Sequence, residues 1–260
     1  ESRAIASIID GFKVSQRKII NASLNIWKTG SEKNLKIFQL SGVVAHTQFY
    51  HHGNASLDSA IINLAQRFKN NVPFLEEDGQ FGSLRSPQAG APRYIGTRLS
   101  PYFKLIYKDF DLLEFKEEED EKIEPFYFLP IIPTILVNGS SGIAVGFASN
   151  ILGRNINDII DCCQKSLLSK SISNIKPYSN SFKGDYIQDV DNNKKWIIRG
   201  KFQRINSSTV KITELPPSLT YEKYEDILDK LVENKDIVSY DDNCKDNLYY
   251  TIKFTRVDLE

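Results

Sequence analysis

The segment that most limits what this chain can fold into is "DGQFGSLRSPQAGAP", residues 78–92, with three glycines and two prolines in fifteen positions. Such a stretch neither continues a helix nor sits inside a sheet, because proline fixes φ and withdraws a donor while glycine leaves the backbone unbiased. The residues before it must complete their own packing, and those after it must start again. An arginine beside a tyrosine comes next, Arg93–Tyr94. From the dipeptide alone, Tyr94 is either an aromatic packing residue or a nucleophile with a cation built in beside it.

Upstream of this loop the texture is helical. "SQRKIINASLNIWKT" carries Ile19, Ile20, Leu24 and Trp27 at near-helical spacing, with Ser15 as the expected cap and Gly30 as the stop. Arg17 and Lys18 fall in its first turn, where cations oppose the helix dipole, so an external anion is their expected partner. A second helix is expected over "NLKIFQLSGVVAHTQF" and a third over "SLDSAIINLAQRF" with Ser56 as cap. Downstream, "SPYFKLIYKDFDLL" opens with proline at the first helical position. The β-branched "YFLPIIPTILVNGSSGIAVGF" reads as a β element attached to the helices. Helices around turns with a β element predict a winged-helix, helix-turn-helix arrangement.

From about residue 155 helical and alternating segments mix: "NINDIIDCCQKSLLS" and "TYEKYEDILDKLVENK" read as helices. "KKWIIRGKFQRINSSTVKITELP" and "NLYYTIKFTRVDL" read as strands, the first with a turn at Asn206–Ser208. The fold class is therefore α+β, with one domain over residues 1–154 and a mixed α/β domain over 155–260. A hydrophobic content of 41% with 25% charged residues is ordinary for a globular chain. No apolar run reaches the roughly 18 residues of a membrane span, no signal peptide is visible, and Cys162, Cys163 and Cys244 form neither a disulfide framework nor a metal spacing. The expectation is an intracellular protein, and the start at Glu1 reads as a piece of a longer one.

Net charge is zero, yet residues 1–110 hold 14 Lys and Arg against 8 Asp and Glu. A polyanion would therefore meet the first half. Lys28, Lys33 and Lys36 are assigned to solvated faces, and the run "EEEDE" at 117–121 to a solvated loop, because consecutive carboxylates do not converge on one ion. No metal site is expected.

Five stretches, "SRAIASIIDGFKVSQRK", "YHHGNASLDSAIINLAQRF", "DGQFGS", "APRYIGTRL" and "PIIPTILVNGSSGIAVG", stand in this order. Their order and separations resemble the DNA breakage-reunion region of type II DNA topoisomerases. The likeness covers residues 2 to about 155 and is diffuse beyond, where "KITELPPSLTYEKYEDIL" looks like part of the family's tower domain. "YHHG" lacks the proline that gyrases carry between their histidines, and the short spacing before Tyr94 looks closer to phage or other viral versions. The first domain is then the winged-helix DNA cleavage domain and the second an incomplete tower.

The resemblance implies that Tyr94 attacks a DNA phosphodiester and forms a transient 5′-phosphotyrosyl bond. A free phenol titrates near ~10 and is mostly protonated at neutral pH. A neighbouring guanidinium, Arg93, eases that cost and matches phosphate oxygens bidentately. Arg3 and His52 fall where the family has a second arginine and a catalytic-site histidine, the latter as hydrogen-bond donor or proton relay. Lys13, Arg17, Lys18 and His51 are implied backbone contacts, with His51 also open to a turn-stabilising role. Ile143, with Ser141 beside it, matches the residue the family pushes between base pairs; without the resemblance it would read as core. Gln48 replaces a basic residue that gyrases have there. The resemblance further implies a homodimer on double-stranded DNA, Toprim and ATPase parts outside this chain, Mg²⁺ on the Toprim part and ATP on the motor. The location would be the bacterial host cytoplasm for a phage, or a nucleus or viral replication site otherwise. The competing expectation is a winged-helix DNA-binding module without catalysis.

Overall fold

The computed structural model describes residues 3–28, 33–245 and 247–255; the expected helix stop at Gly30 lies outside them. The chain divides into two compact units, one of residues up to 82 with 88–179, the other of 83–87 with 180 onward. The first unit opens with α1 (Val14–Ile26), β1 (Leu35–Lys36), α2 (Ile37–Thr47) and α3 (Asn54–Ala65). Strands β2 (Leu75–Asp78) and β3 (Gly96–Leu99) flank the glycine-proline segment and pair antiparallel, with Asp78 opposite Gly96. Strand β1 adds to the other edge of β3, giving a three-stranded sheet in the order β1-β3-β2 beside the helices. This is the expected winged-helix arrangement in an α+β fold.

Helix α4 (Pro101–Ile106) starts as the sequence predicts, with Pro101 in its first turn and the Ser100 hydroxyl accepting from the Tyr102 N–H. The hairpin of β4 (Phe115–Glu118) and β5 (Glu121–Pro125) contains the acidic run. The apolar stretch read as a β element divides into α5 (Thr134–Asn138) and the hairpin of β6 (Ser140–Ala144) and β7 (Phe147–Ile151). Pro130 and Pro133 account for the difference, since a proline breaks a ladder but suits the entry to a helix. Helix α6 (Ile156–Leu167), expected in the second domain, buries Ile159 in the first unit's core. The units change over after residue 179 rather than at 154.

The second unit holds the ribbon of β8 (Asp185–Gln188) and β9 (Trp196–Arg199). It continues through β10 (Lys201–Asn206), β11 (Thr209–Glu214), α7 (Tyr221–Glu233), β12 (Ser239–Asp242) and β13 (Tyr250–Lys253), with a four-stranded antiparallel sheet ordered β10-β11-β13-β12. Leu228 of α7 packs with Ile237, Cys244, Tyr250 and Ile252 as its core. The excursion 83–87 from the glycine-proline segment joins this unit, where Arg85 pairs with Asp242 at 2.9 Å. Among the described residues no helix is long and apolar enough to cross a membrane.

Two kinds of interaction hold the first unit. Phe12, Phe74, Phe103, Tyr107 and Phe128 form an aromatic cluster, with Phe103 and Tyr107 stacked at 4.4 Å between centroids. Each ring buried here contributes about 1.5–3 kcal/mol of transfer free energy. Beside the cluster lies Asp10, fully buried. Its carboxylate accepts from Arg17 Nε at 2.7 Å, from Phe12 N at 3.1 Å and from Phe128 N at 3.0 Å. Its main-chain carbonyl accepts from the Tyr107 and Thr134 hydroxyls, both at 2.8 Å. Removing one partner of a buried pair strands the other, which costs about 3–5 kcal/mol. Asp10→Ala is therefore expected to lower the unfolding free energy by about that amount, read from urea unfolding of the chain followed by far-UV circular dichroism.

Candidate active site

The glycine-proline segment closes the β2–β3 hairpin as a long loop. Gly79 and Gly82 take positive φ of 102° and 85°, where a side chain would strain the backbone. The Gly90 N–H reaches back to the Gln80 carbonyl at 2.8 Å and pinches the loop shut. A tight turn comes next, with Tyr94 N donating to Ala91 O at 2.8 Å, and Ile95 is buried as its anchor. Tyr94 itself is 70% exposed, and the Arg93 guanidinium carbon lies 5.3 Å from the centre of its ring. The sequence left a packing role open for this ring, and the structure gives it a solvent-facing one.

The loop's main chain hangs on the start of α2. Phe38 N donates to Pro92 O at 3.3 Å, Ile37 N to Ile95 O at 3.1 Å, and Lys36 Nζ to Tyr94 O at 2.7 Å. Lys36 is half-buried and engaged, which corrects the solvated-face assignment. Lys28 and Lys33 are exposed. A signal for Lys36 was present: α1 and α2 begin with Lys-Val-Ser-Gln and Lys-Ile-Phe-Gln. In each the glutamine side chain accepts from the lysine N–H, at 2.9 and 3.0 Å, so Lys13, not Ser15, caps α1. In the same way α3 begins at Asn54 after Gly53, ahead of Ser56.

Lys13 uses its ammonium as Lys36 does. Its Nζ donates to Ser141 O at 2.8 Å, fastening the β6–β7 hairpin. On the same strand Gly142 sits against residue 4, where a Cβ would come within 2.1 Å of the Ala4 carbonyl oxygen. Arg3, exposed, is the next residue back. The hairpin carries Ile143 at 86% exposure and Val145 at 100% near its tip, so Ile143 is not a core residue. Val145 escaped the sequence reading because its apolar flanks look like core.

Arg17 and Lys18 need correction as phosphate contacts. Arg17 is 4% exposed and bound to Asp10; Lys18 is 8% exposed and its Nζ lies 2.7 Å from Glu124, which also takes Lys116 at 3.0 Å. The anion that the first turn of α1 called for is internal. Lys18 also donates to the carbonyl of Gln48, whose side chain accepts from Asn21 at 2.9 Å. Gln48 is thus a buried link between α1 and α2.

His51 and His52 lie in the connection between α2 and α3, both exposed. His51 Nε2 is 2.9 Å from Glu118 of β4, so the acidic run is not wholly solvated. The His52 ring meets Tyr50 edge-on at 5.3 Å. The structure brings Arg93 and Lys36 directly to Tyr94. Among the described residues, Arg3 and His52 make no hydrogen bond or ion pair with it.

A hard dication needs several converging oxygens. The groups against Tyr94 are a guanidinium and an ammonium, and among the described residues no three His, Cys, Asp or Glu side chains gather as ligands. These residues do not fit a metal ion.

Gly142→Ala is expected to unseat the hairpin from residues 4 and 5 while leaving the core intact. Amide hydrogen exchange should quicken across 140–151, with little change in the exchange of α1.

Comparison with known proteins extends over nearly the whole chain. The family described as the A subunit of DNA gyrase/topoisomerase IV matches residues 3–259. DNA topoisomerase 2 of Plasmodium falciparum is 36% identical over 271 residues, covering 99% of this chain and 19% of that protein. The DNA topoisomerase medium subunit of Enterobacteria phage T4 is 35% identical over 258 residues, covering 98% of this chain and 57% of that protein. The crystal structure of the Plasmodium falciparum topoisomerase II DNA-binding, cleavage and re-ligation domain superposes with a TM-score of 0.93 at 35% identity, over 99% of this chain and 36% of that one. The chain thus spans between a fifth and somewhat over half of these relatives' lengths. With five motifs in order, an exposed tyrosine on a pinned loop and a fold shared throughout, the chain belongs to the DNA gyrase/topoisomerase IV A-subunit family of type II topoisomerases.

Proposed function

We propose that this chain is the DNA-cleaving and religating part of a type II DNA topoisomerase, with Tyr94 as its nucleophile. In the forward step the Tyr94 oxygen forms a bond to phosphorus and the bond from phosphorus to the sugar 3′ oxygen breaks. The phenolic proton leaves Tyr94, a proton is taken up by the departing oxygen, and nothing is oxidised or reduced. Resealing is the same exchange in reverse, so the phosphotyrosyl link conserves the strand. Arg93 faces the charge that develops on the phosphate oxygens. His52 donates a hydrogen bond to phosphate or carries the proton, and Arg3 adds a second guanidinium. Ile143, with Ser141 beside it, enters between base pairs and bends the duplex.

The observation that supports this reading best is the combination at Tyr94: an exposed phenol with a guanidinium against its ring, on a loop whose main chain is tied down. A simple DNA reader has no need of it. The first compact unit would be the winged-helix cleavage domain and the second the tower. Mg²⁺ and ATP, used by the family, would be held by Toprim and ATPase parts outside this chain, in a homodimer on double-stranded DNA.

Mixing the chain with its Toprim-containing partner, Mg²⁺ and supercoiled DNA, then trapping with detergent, should give protein covalently attached to DNA. Tyr94→Phe should give none, and Arg93→Ala should slow attachment by about 10²–10³-fold. Attachment that persists in Tyr94→Phe rejects the nucleophile; binding without attachment in any variant favours the non-catalytic module. The isolated chain should bind DNA but cut it poorly. With Arg17 and Lys18 committed internally, log affinity should still fall as log salt rises, with a slope shallower than the 14 Lys and Arg of residues 1–110 would give if each met a phosphate.

A further inference from the structure

Side-chain reach and main-chain geometry at the start of α2 carry an inference that rests on the Tyr94 reading and deepens it. Helix α2 has no side-chain cap hydrogen bond, and the N–H groups of its first turn need partners from elsewhere. Those of Ile37 and Phe38 find the carbonyls of Ile95 and Pro92. Between them stands the carbonyl of Tyr94, and it receives a charged donor, the Lys36 ammonium at 2.7 Å. Because Gln39 already satisfies the Lys36 N–H, the lysine backbone is fixed from its own helix while its side chain reaches across.

Holding a residue's carbonyl fixes its ψ, and with the Ala91 turn setting the preceding peptide, the Cα–Cβ direction of Tyr94 is set as well. The ring is 70% exposed, so packing does little to aim it. We propose that Lys36 is a positioning residue for Tyr94: by holding the tyrosine's own carbonyl it sets the line along which the phenol oxygen meets phosphorus. It touches neither DNA nor the reacting atoms in this role.

The test uses the assembled enzyme, with its Toprim and ATPase parts present, in single-turnover cleavage at saturating DNA with detergent trapping. Lys36→Met keeps the length and apolar stem but has no donor, and Lys36→Arg keeps a charged donor. Lys36→Met should slow covalent attachment about 10- to 100-fold, the scale on which small misplacements of a reacting group act. DNA affinity should stay within about twofold, since no phosphate contact is removed. Lys36→Arg should regain a clear part of the lost rate. Attachment by Lys36→Met at the wild-type rate overturns the proposal. So does a loss of affinity with a salt slope shallower by about 1 and an unchanged saturated rate, which marks a phosphate contact. A slowing that Lys36→Arg does not relieve, accompanied by a lowered melting temperature, marks a merely structural lysine and also overturns it. Tyr94→Phe, run in parallel, isolates failure of the underlying reading: attachment there removes the nucleophile whatever Lys36 does.

Discussion

A carboxylate with no access to water, Asp10, is the point to which the first unit is tied. Its side chain and carbonyl together receive donors from the turn before α1, from α1 itself, from the residue after α4, from Phe128 and from the first turn of α5. An ionised group in such a place is tolerated only because Arg17 faces it with two nitrogens and the backbone supplies the rest. The same pairing that makes the site expensive to disturb also specifies where α1 begins relative to the aromatic cluster. The start of α1, whose Lys13 holds the β6–β7 hairpin, inherits its position from it.

This ordering explains how the basic character of the first half is distributed. Arg17 and Lys18 answer buried carboxylates. Lys13 and Lys36 answer carbonyls of the hairpin and the tyrosine loop. Arg3 and Arg93 remain toward solvent. Charge count along a sequence therefore overstates the charge that a phosphate backbone meets. Surface potential depends on which cations are already answered from within.

Much of the architecture was legible because it is written locally. Ser100 and Pro101 announce α4 through the chemistry of a helix start, and the glycines and prolines of 78–92 announce a loop whatever surrounds them. The loop did not decide the exposure of Tyr94, for which the dipeptide left a packing role open; the tight turn on Ala91 and the buried Ile95 do. The features that escaped depend on partners far along the chain. Arg17 and Lys18 look unexplained in their first turn because Asp10 lies before the helix and Glu124 lies on a later hairpin. Ile143 has the flanks of a core residue, so its residues alone read as core and only the resemblance singled it out; the hairpin geometry exposes it. Helix α6 carries an ordinary amphipathic pattern that does not say which core it joins; Ile159 decides that in three dimensions.

The hairpin that presents Ile143 rests directly on main chain, because Gly142 leaves no atom between its strand and the Ala4 carbonyl. Position 142 therefore works as a shim of zero thickness. A carbon added there would lie 2.1 Å from that oxygen, well inside ordinary contact, so the strand that carries the isoleucine has to shift to make room. How far the apolar tip projects is thus set by an absent side chain, and a lineage could retune that depth through a single substitution without touching the tip.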